Sequence, residues 1–320
     1  VVVVDAAAAA AAADRLPVVA GERRGHVRDD RAVALELGAG RAAVAVALAA
    51  VALRNFAPME DLSEPENAGL GVFTAVVETS LLQPTLYWKN ARQQRLPITL
   101  DPRIVYRGIG ASLVNEAGQM ALQFSLSGRL KELLSDVPAA ALGGLLAAAF
   151  ASPVELVMIQ QQRFGGSLLS TPLKIVQSHG VFGAGLFRGL GCAALRDAIY
   201  VGGMLGVAPA AQRSMTERGS VGELWAAVGG SILGGLVGGI VSHPFDVVKT
   251  CMQGDLAQAR YGGVFDAARA LHAQGGAARF FDGCFWRTVN ITATVLVATA
   301  CCAVLPPLIK ARRKDADISA

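Results

Sequence analysis

The residues best placed to do chemistry lie in HPFDVVK, His243 to Lys249. They follow AAVGGSILGGLVGGIVS, so a proline, an acid and a base arrive at the end of a glycine-rich, membrane-type run. Ionisable groups at bilayer depth are costly and mark ion paths, gates or binding sites. Proline inside a helix removes a hydrogen bond and kinks it. Asp246 and Lys249 are three apart, so on a helix they share a face and could pair with each other.

A second set of polar residues sits inside otherwise apolar segments. Asn115 and Glu116 lie in ASLVNEAGQMAL, Arg196 and Asp197 in GCAALRDAIYVGG, and Arg287 and Asn290 in CFWRTVNITATV. Guanidinium and amide donors suit a carboxylate, and a carboxylate suits an ammonium group. An internal Glu116–Arg196 ion pair that only supports packing is the competing reading.

The elements that must position these groups recur along the chain. HPFDVVK-TCMQ has two relatives, SPVELVM-IQQQ from Ser152 and QPTLYWK-NARQ from Gln83, each after a run of small apolar residues. The prolines Pro84, Pro153 and Pro244 each have a glutamine nine residues later, at Gln93, Gln162 and Gln253. The landmarks VYRG, LFRG and FFDG end at Gly108, Gly189 and Gly283, and each opens another apolar span. The unit is a helix with proline, a polar connection, an aromatic-x-Gly turn and a second helix. Three copies predict an all-α membrane protein of six spans with both termini on one side. Gly230, Gly234 and Gly238 recur every four residues, which predicts close helix packing on one face.

Composition agrees. The chain is 53% hydrophobic and 17% charged with 36 glycines, and its mean hydropathy is +0.44, too apolar for an ordinary soluble enzyme. The formal net charge of +4 comes without a basic cluster and interleaved aromatics, which argues against nucleic acid. Five cysteines form no CxxC pair and four histidines are scattered, so no metal site, disulfide framework or cofactor is expected. No nucleophile–base–orienter set points to an enzyme.

The repeats resemble those of the mitochondrial carrier family, six-helix solute carriers of three tandem helix pairs with pseudo-threefold symmetry. The resemblance covers roughly residues 67–310 and rests on Pro-x-acid-x-x-base with a following glutamine, complete in the third repeat and partial in the other two. It implies repeats at 67–135, 136–214 and 215–320, the last with a basic tail, after an alanine-rich extension at 1–66. A further helix at 33–53 is one reading of that extension. A processed or incomplete start is expected, because residue 1 is not methionine.

The family pattern implies that the three prolines kink the odd helices so that they converge. The acid of each then pairs with the base of the next, closing a gate on the matrix side. Here the ring would read Asp246–Lys89, Glu155–Lys249 and Leu86–Met158, two ionic links and one apolar link. Stranding one buried charge costs about 3–5 kcal/mol, whereas exchanging both partners for packed apolar groups can be neutral. Gln93, Gln162 and Gln253 would brace the ring from beneath.

Counting from the landmark glycines, the resemblance puts substrate contacts at Asn115, Glu116, Arg196, Asp197 and Asn290, with Arg287 one turn earlier. It implies transport of a small metabolite, amino-acid-like or carboxylate, across the mitochondrial inner membrane by alternating access. Membrane lipid, cardiolipin among the candidates, and other inner-membrane subunits are the further expected partners. Two departures stand out. Repeat 1 is short, with 24 residues from Pro84 to Gly108 against 36 and 39 in the others. At the far ends of the even helices, Gly128, Pro209 and Ala303 stand where the family has acids. Of the bases there, only Lys131 remains, with Gln212 and Pro306 at the other two positions. A carrier-like scaffold that no longer transports is therefore the alternative.

Overall fold

The computed structural model describes residues 64–130, 132–217 and 222–319. The expected helix at 33–53 and Lys131 lie outside these residues. The described residues are helical and loop, with no strand.

Among the described residues, six long helices carry the architecture: α1 Glu64–Gln93, α3 Ile109–Leu130, α4 Asp136–Phe164, α6 Leu190–Glu217, α7 Glu223–Gly254 and α9 Cys284–Ser319. Between them lie the single turn α2 Pro102–Val105 and two surface helices, α5 Ser170–His179 and α8 Val264–Gly275. Each long helix packs on the next in chain order, and α9 returns to α1, so the six close a ring. Among the described residues, four segments are long and apolar enough to cross a membrane: Ala141–Phe164, Leu190–Glu217, Glu223–Gly254 and Val264–Ile309. The first two long helices fall outside that set. Helix α1 carries Glu78, Gln83, Lys89 and Asn90, and α3 carries Asn115, Glu116 and Gln119, which lowers their apolar content.

Pro84, Pro153 and Pro244 lie inside α1, α4 and α7. A helical proline leaves the carbonyl four residues earlier without its donor. Behind Pro84 that carbonyl is Ser80, and the Tyr106 hydroxyl donates to it at 3.1 Å. The disrupted turn thus recovers a hydrogen bond from the connection that follows.

The glycines of α7 let α6 approach to backbone contact. A Cβ on Gly230 would stand 2.6 Å from the Ala208 carbonyl oxygen, and one on Gly238 would stand 2.7 Å from that of Tyr200. Dispersion between two closely apposed backbones then replaces side-chain interdigitation. Helix α8 buries Ala267 and Leu271 in a cluster with Val247, Val248 and Cys251 of α7. Helix α5 buries Ile175 against Leu156 and Ile159 of α4. Both surface helices thereby dock at the proline ends of the long ones. Along the outer face, Val72, Phe73, Val237 and Val241 are exposed, a surface suited to acyl chains rather than water.

Candidate functional site

The C-terminal thirds of α1, α4 and α7 converge and bring the charged residues together. Lys89 Nζ lies 3.0 Å from Asp246 Oδ2. Lys249 Nζ lies 2.7 Å from Glu155 Oε2 and 3.6 Å from Asp246 Oδ1 on its own helix. Both readings of HPFDVVK are thus present at once, with the tighter contacts running between helices. All four side chains are buried. Leu86 packs on the apolar cluster that contains Met158, so the third pair of positions is lined by apolar side chains.

Asp246 is the hub. Gln93 Nε2 donates to Oδ2 at 2.7 Å, and Arg196 Nη1 donates to Oδ1 at 3.2 Å. Arg287 Nη1 approaches Oδ2 to 3.6 Å. A carboxylate that accepts several charge-assisted bonds is stabilised in its ionised form.

The glutamines bond in three different ways. Gln93 reaches Asp246 directly. Gln162 accepts from Asn90 Nδ2 at 2.8 Å, and Gln253 donates to the carbonyls of Ser152 and Arg188, each at 3.2 Å. Each ties its helix to another element just below the charged layer.

The turn glycines hold the layer together from outside. Gly108, Gly189 and Gly283 have φ of +79°, +81° and +84°, a left-handed conformation that favours glycine. A Cβ on each would meet the odd helix of another repeat at one register position. Gly108 faces Met158, Gly189 faces Lys249, and Gly283 faces the Lys89 carbonyl at 2.9 Å. Two buried arginines seal the helix ends there. Arg188 Nε donates to the Met252 carbonyl at 2.7 Å, and Arg279 Nη2 donates to the Gln93 carbonyl at 2.7 Å. Carbonyls in a final helical turn lack intrahelical donors, so a guanidinium is a suitable cap.

The expected substrate residues divide into two groups. Arg196 is drawn into the charged layer, where Nη1 lies 2.7 Å from Glu155 Oε1 and Nη2 lies 2.7 Å from Asp197 Oδ1. It bridges both acids of the ring and forms no ion pair with Glu116. Asp197 also accepts from Gln119 Nε2 at 3.2 Å. The other group keeps capacity. Asn115 is buried and its Oδ1 has no partner among the described residues. Arg287 donates from Nη2 to Ser242 Oγ at 2.8 Å and lies over the Tyr200 ring at 5.9 Å. Its Nη1 has no hydrogen bond among the described residues. Asn290 donates to Thr85 Oγ1 at 2.8 Å.

Sequence reasoning missed several participants. Asn90, Thr85 and Gln119 are neutral partners whose reach crosses between helices. Gln119 had a signal, because it lies one turn beyond Asn115 on the same face. Glu78, inside AVVETSLL, had the clearest signal, an acid within an apolar run. It accepts from Thr294 Oγ1 at 2.8 Å.

Comparison with known proteins points the same way. Residues 221–306, which contain HPFDVVK and the FFDG turn, match the family model described as mitochondrial carrier protein. The chain is 29% identical over 167 residues to mitochondrial 2-oxodicarboxylate carrier 2 of Saccharomyces cerevisiae, covering 47% of this chain and 53% of that protein. It is 26% identical over 204 residues to kidney mitochondrial carrier protein 1 of Xenopus laevis, covering 58% and 69%. Over 121 residues it is 34% identical to a mitochondrial glycine transporter of Emericella nidulans, covering 37% and 36%. The matched part thus spans about half the length of the yeast relative. The Pro-x-acid-x-x-base element, its glutamine and the turn glycine thus lie in one continuous match to a mitochondrial carrier model, and the relatives above are all mitochondrial carriers or transporters by name.

Proposed function

We propose that the protein moves a small carboxylate or amino-acid-like metabolite across the mitochondrial inner membrane by alternating access. The six long helices would act as three helix pairs, residues 67–135, 136–214 and 215–320, about a pseudo-threefold axis. The recurring contact of each turn glycine with one register position of an odd helix supports that arrangement. Lys89, Glu155, Asp246 and Lys249, with Leu86 and Met158, would form the matrix gate, and Gln93, Gln162 and Gln253 its brace.

One observation carries the reading. Arg196 bridges Glu155 and Asp246, the two acids of the ring, and lies beside Asp197 in the even helix. A solute carboxylate that drew Arg196 upward would remove a bolt from the gate, so binding and opening share one side chain. Arg287 and Asn115, with free hydrogen-bonding capacity, would make the first contacts, and Asn290 would be recruited from Thr85. The solutes that two relatives are named for, 2-oxodicarboxylates and glycine, fall within this chemical range.

A second reading is favoured by the far ends of the even helices, where Gly128, Pro209 and Ala303 supply no acids. A protein that cannot latch that side would serve as a scaffold for other inner-membrane subunits. Reconstitution into liposomes with labelled carboxylates and amino acids separates the two. Saturable uptake above protein-free liposomes supports transport, and its loss in Arg287→Gln supports the site. Folded protein that takes up no solute of the panel supports the scaffold.

A further inference from the structure

Polar residues of α3 and α6 form a hydrogen-bonded chain whose direction is set at one end. Arg196 donates to Asp197 Oδ1 from Nε at 2.8 Å and to Glu155 and Asp246 from Nη1. That guanidinium is therefore committed to three acids. Gln119 Nε2 donates to Asp197 Oδ2 at 3.2 Å, and Asn115 Nδ2 faces Gln119 Oε1 at 3.5 Å. The last atom of the chain, Asn115 Oδ1, is buried and has no partner among the described residues. Asn115 as a whole is only 6% exposed.

The two ends of an amide are told apart by their partners. Asp197, ion-paired with Arg196, can only accept, so Gln119 must turn its NH2 towards it. Gln119 then presents an oxygen to Asn115. Asn115 answers with its NH2, because the reverse would set two oxygens face to face. The chain thus ends in an uncommitted acceptor. A buried acceptor is costly without a donor, so it selects a ligand that brings one.

The opposite requirement lies one turn along α6. Tyr200 is three residues after Asp197, on the same face, and Arg287 lies over its ring at 5.9 Å. Arg287 Nη1 approaches Asp246 only to 3.6 Å and makes no hydrogen bond among the described residues. With Arg196 committed, this donor is left for a solute carboxylate.

We propose that Asn115, oriented by Gln119, is a specificity-determining residue that selects carboxylates carrying a hydrogen-bond donor, amino and hydroxy acids, over 2-oxo acids. The carboxylate takes Arg287 Nη1, and the ammonium or hydroxyl group donates to Asn115 Oδ1. A ketone at that place would face another oxygen and leave both without a donor. Gln119 is a positioning residue, because it decides which end of the Asn115 amide is presented. Of the solutes named for relatives, glycine carries such a donor and a 2-oxodicarboxylate does not.

The inference rests on the transport reading, so binding to the purified full chain is measured beside uptake into liposomes. The probes are two matched triples: glutamate, 2-hydroxyglutarate and 2-oxoglutarate, and alanine, lactate and pyruvate. Hydroxy and oxo members carry the same charge, so their ratio isolates the donor. Thermal stabilisation in detergent, titrated with each probe, reads binding. The amino and hydroxy members should bind about tenfold tighter than the oxo member, within the range for leaving a buried polar group unpaired. An oxo acid bound as tightly as its hydroxy partner in either triple overturns the inference, as does binding of none of the six.

Gln119→Met keeps the volume and removes the link to Asp197, so the Asn115 amide is free to turn over. The hydroxy-to-oxo ratio should fall to about one or below, the range left when that same unpaired-group penalty is relieved, with the oxo acid still bound. Asn115→Leu should level the ratio as well. A merely structural role weakens both members in parallel, so an unchanged ratio in both variants overturns the inference. A variant that binds no probe is scored as unfolded, and the wild-type ratio then decides. Preference in binding without uptake of any probe keeps the selectivity and overturns transport. Uptake of hydroxy and oxo members at equal rates keeps transport and overturns the selectivity.

Discussion

The two ends of the helix ring are built from different forces. At the proline ends of α1, α4 and α7, buried charges are held by directional contacts of 2.7 to 3.2 Å, and Asp246 alone receives Lys89, Gln93 and Arg196. At the other end, α6 and α7 meet through glycine faces, and Ala303 and Pro306 of α9 are buried where the family has charges. Charge-paired contacts discriminate sharply between made and broken, because a separated buried charge is costly. Packed small residues have no such threshold and no charge to strand. The proline end is therefore suited to a latch, and the far end to a seam that holds by close fit.

That contrast can be broken at its strongest point first. Asp246→Asn removes the hub charge and leaves Lys89 and Arg196 with less compensation. Unfolding of the detergent-purified protein should show a loss of about 3–5 kcal/mol. At the seam, Gly230→Ala places a Cβ 2.6 Å from the Ala208 carbonyl oxygen. That overpacking should cost about 1–3 kcal/mol in the same measurement. A seam that accepts this methyl without loss would remove the proposed difference between the ends.

The apolar link offers a sharper comparison within the ring. Leu86→Glu with Met158→Lys should restore a third ion pair, while either single variant strands a charge. The double-mutant cycle should give a favourable coupling of about 2 kcal/mol, within the usual range for contacting residues. Additive effects would mean that the two positions do not meet. Gln93→Ala is the mildest change, because Lys89 still holds Asp246. It should cost about 1.5 kcal/mol, the lower end for a hydrogen bond to a charged group.

Much of the proline end was legible in the sequence for a definite reason. Lys89 and Asp246 are 157 residues apart, yet a threefold repeat turns sequence offset into spatial register, so paired positions can be counted. The turn glycines were readable on the same basis, and only their positive φ needed coordinates. Arg196 was not readable as a bridge to both acids. A guanidinium on a long, flexible stem can reach a full turn along its helix, and residue spacing does not say in which direction. Thr85–Asn290 and Asn90–Gln162 were hidden because neutral amides and hydroxyls leave no charge pattern to balance. Among the described residues, four segments rather than six are apolar enough to cross a membrane unaided, because α1 and α3 carry polar groups that the ring encloses.

In the proposed transport cycle the charged layer must open for a solute to pass. Leu86→Cys with Met158→Cys, in a chain whose five native cysteines are replaced, places two thiols at the apolar link with every gate charge intact. A short bis-methanethiosulfonate bridges them through two disulfides, and the cross-link is read by mass. Uptake of a labelled solute into liposomes should proceed with the unbridged protein, stop when the bridge forms, and return when a reductant cleaves it. Undiminished uptake by fully bridged protein would contradict the account.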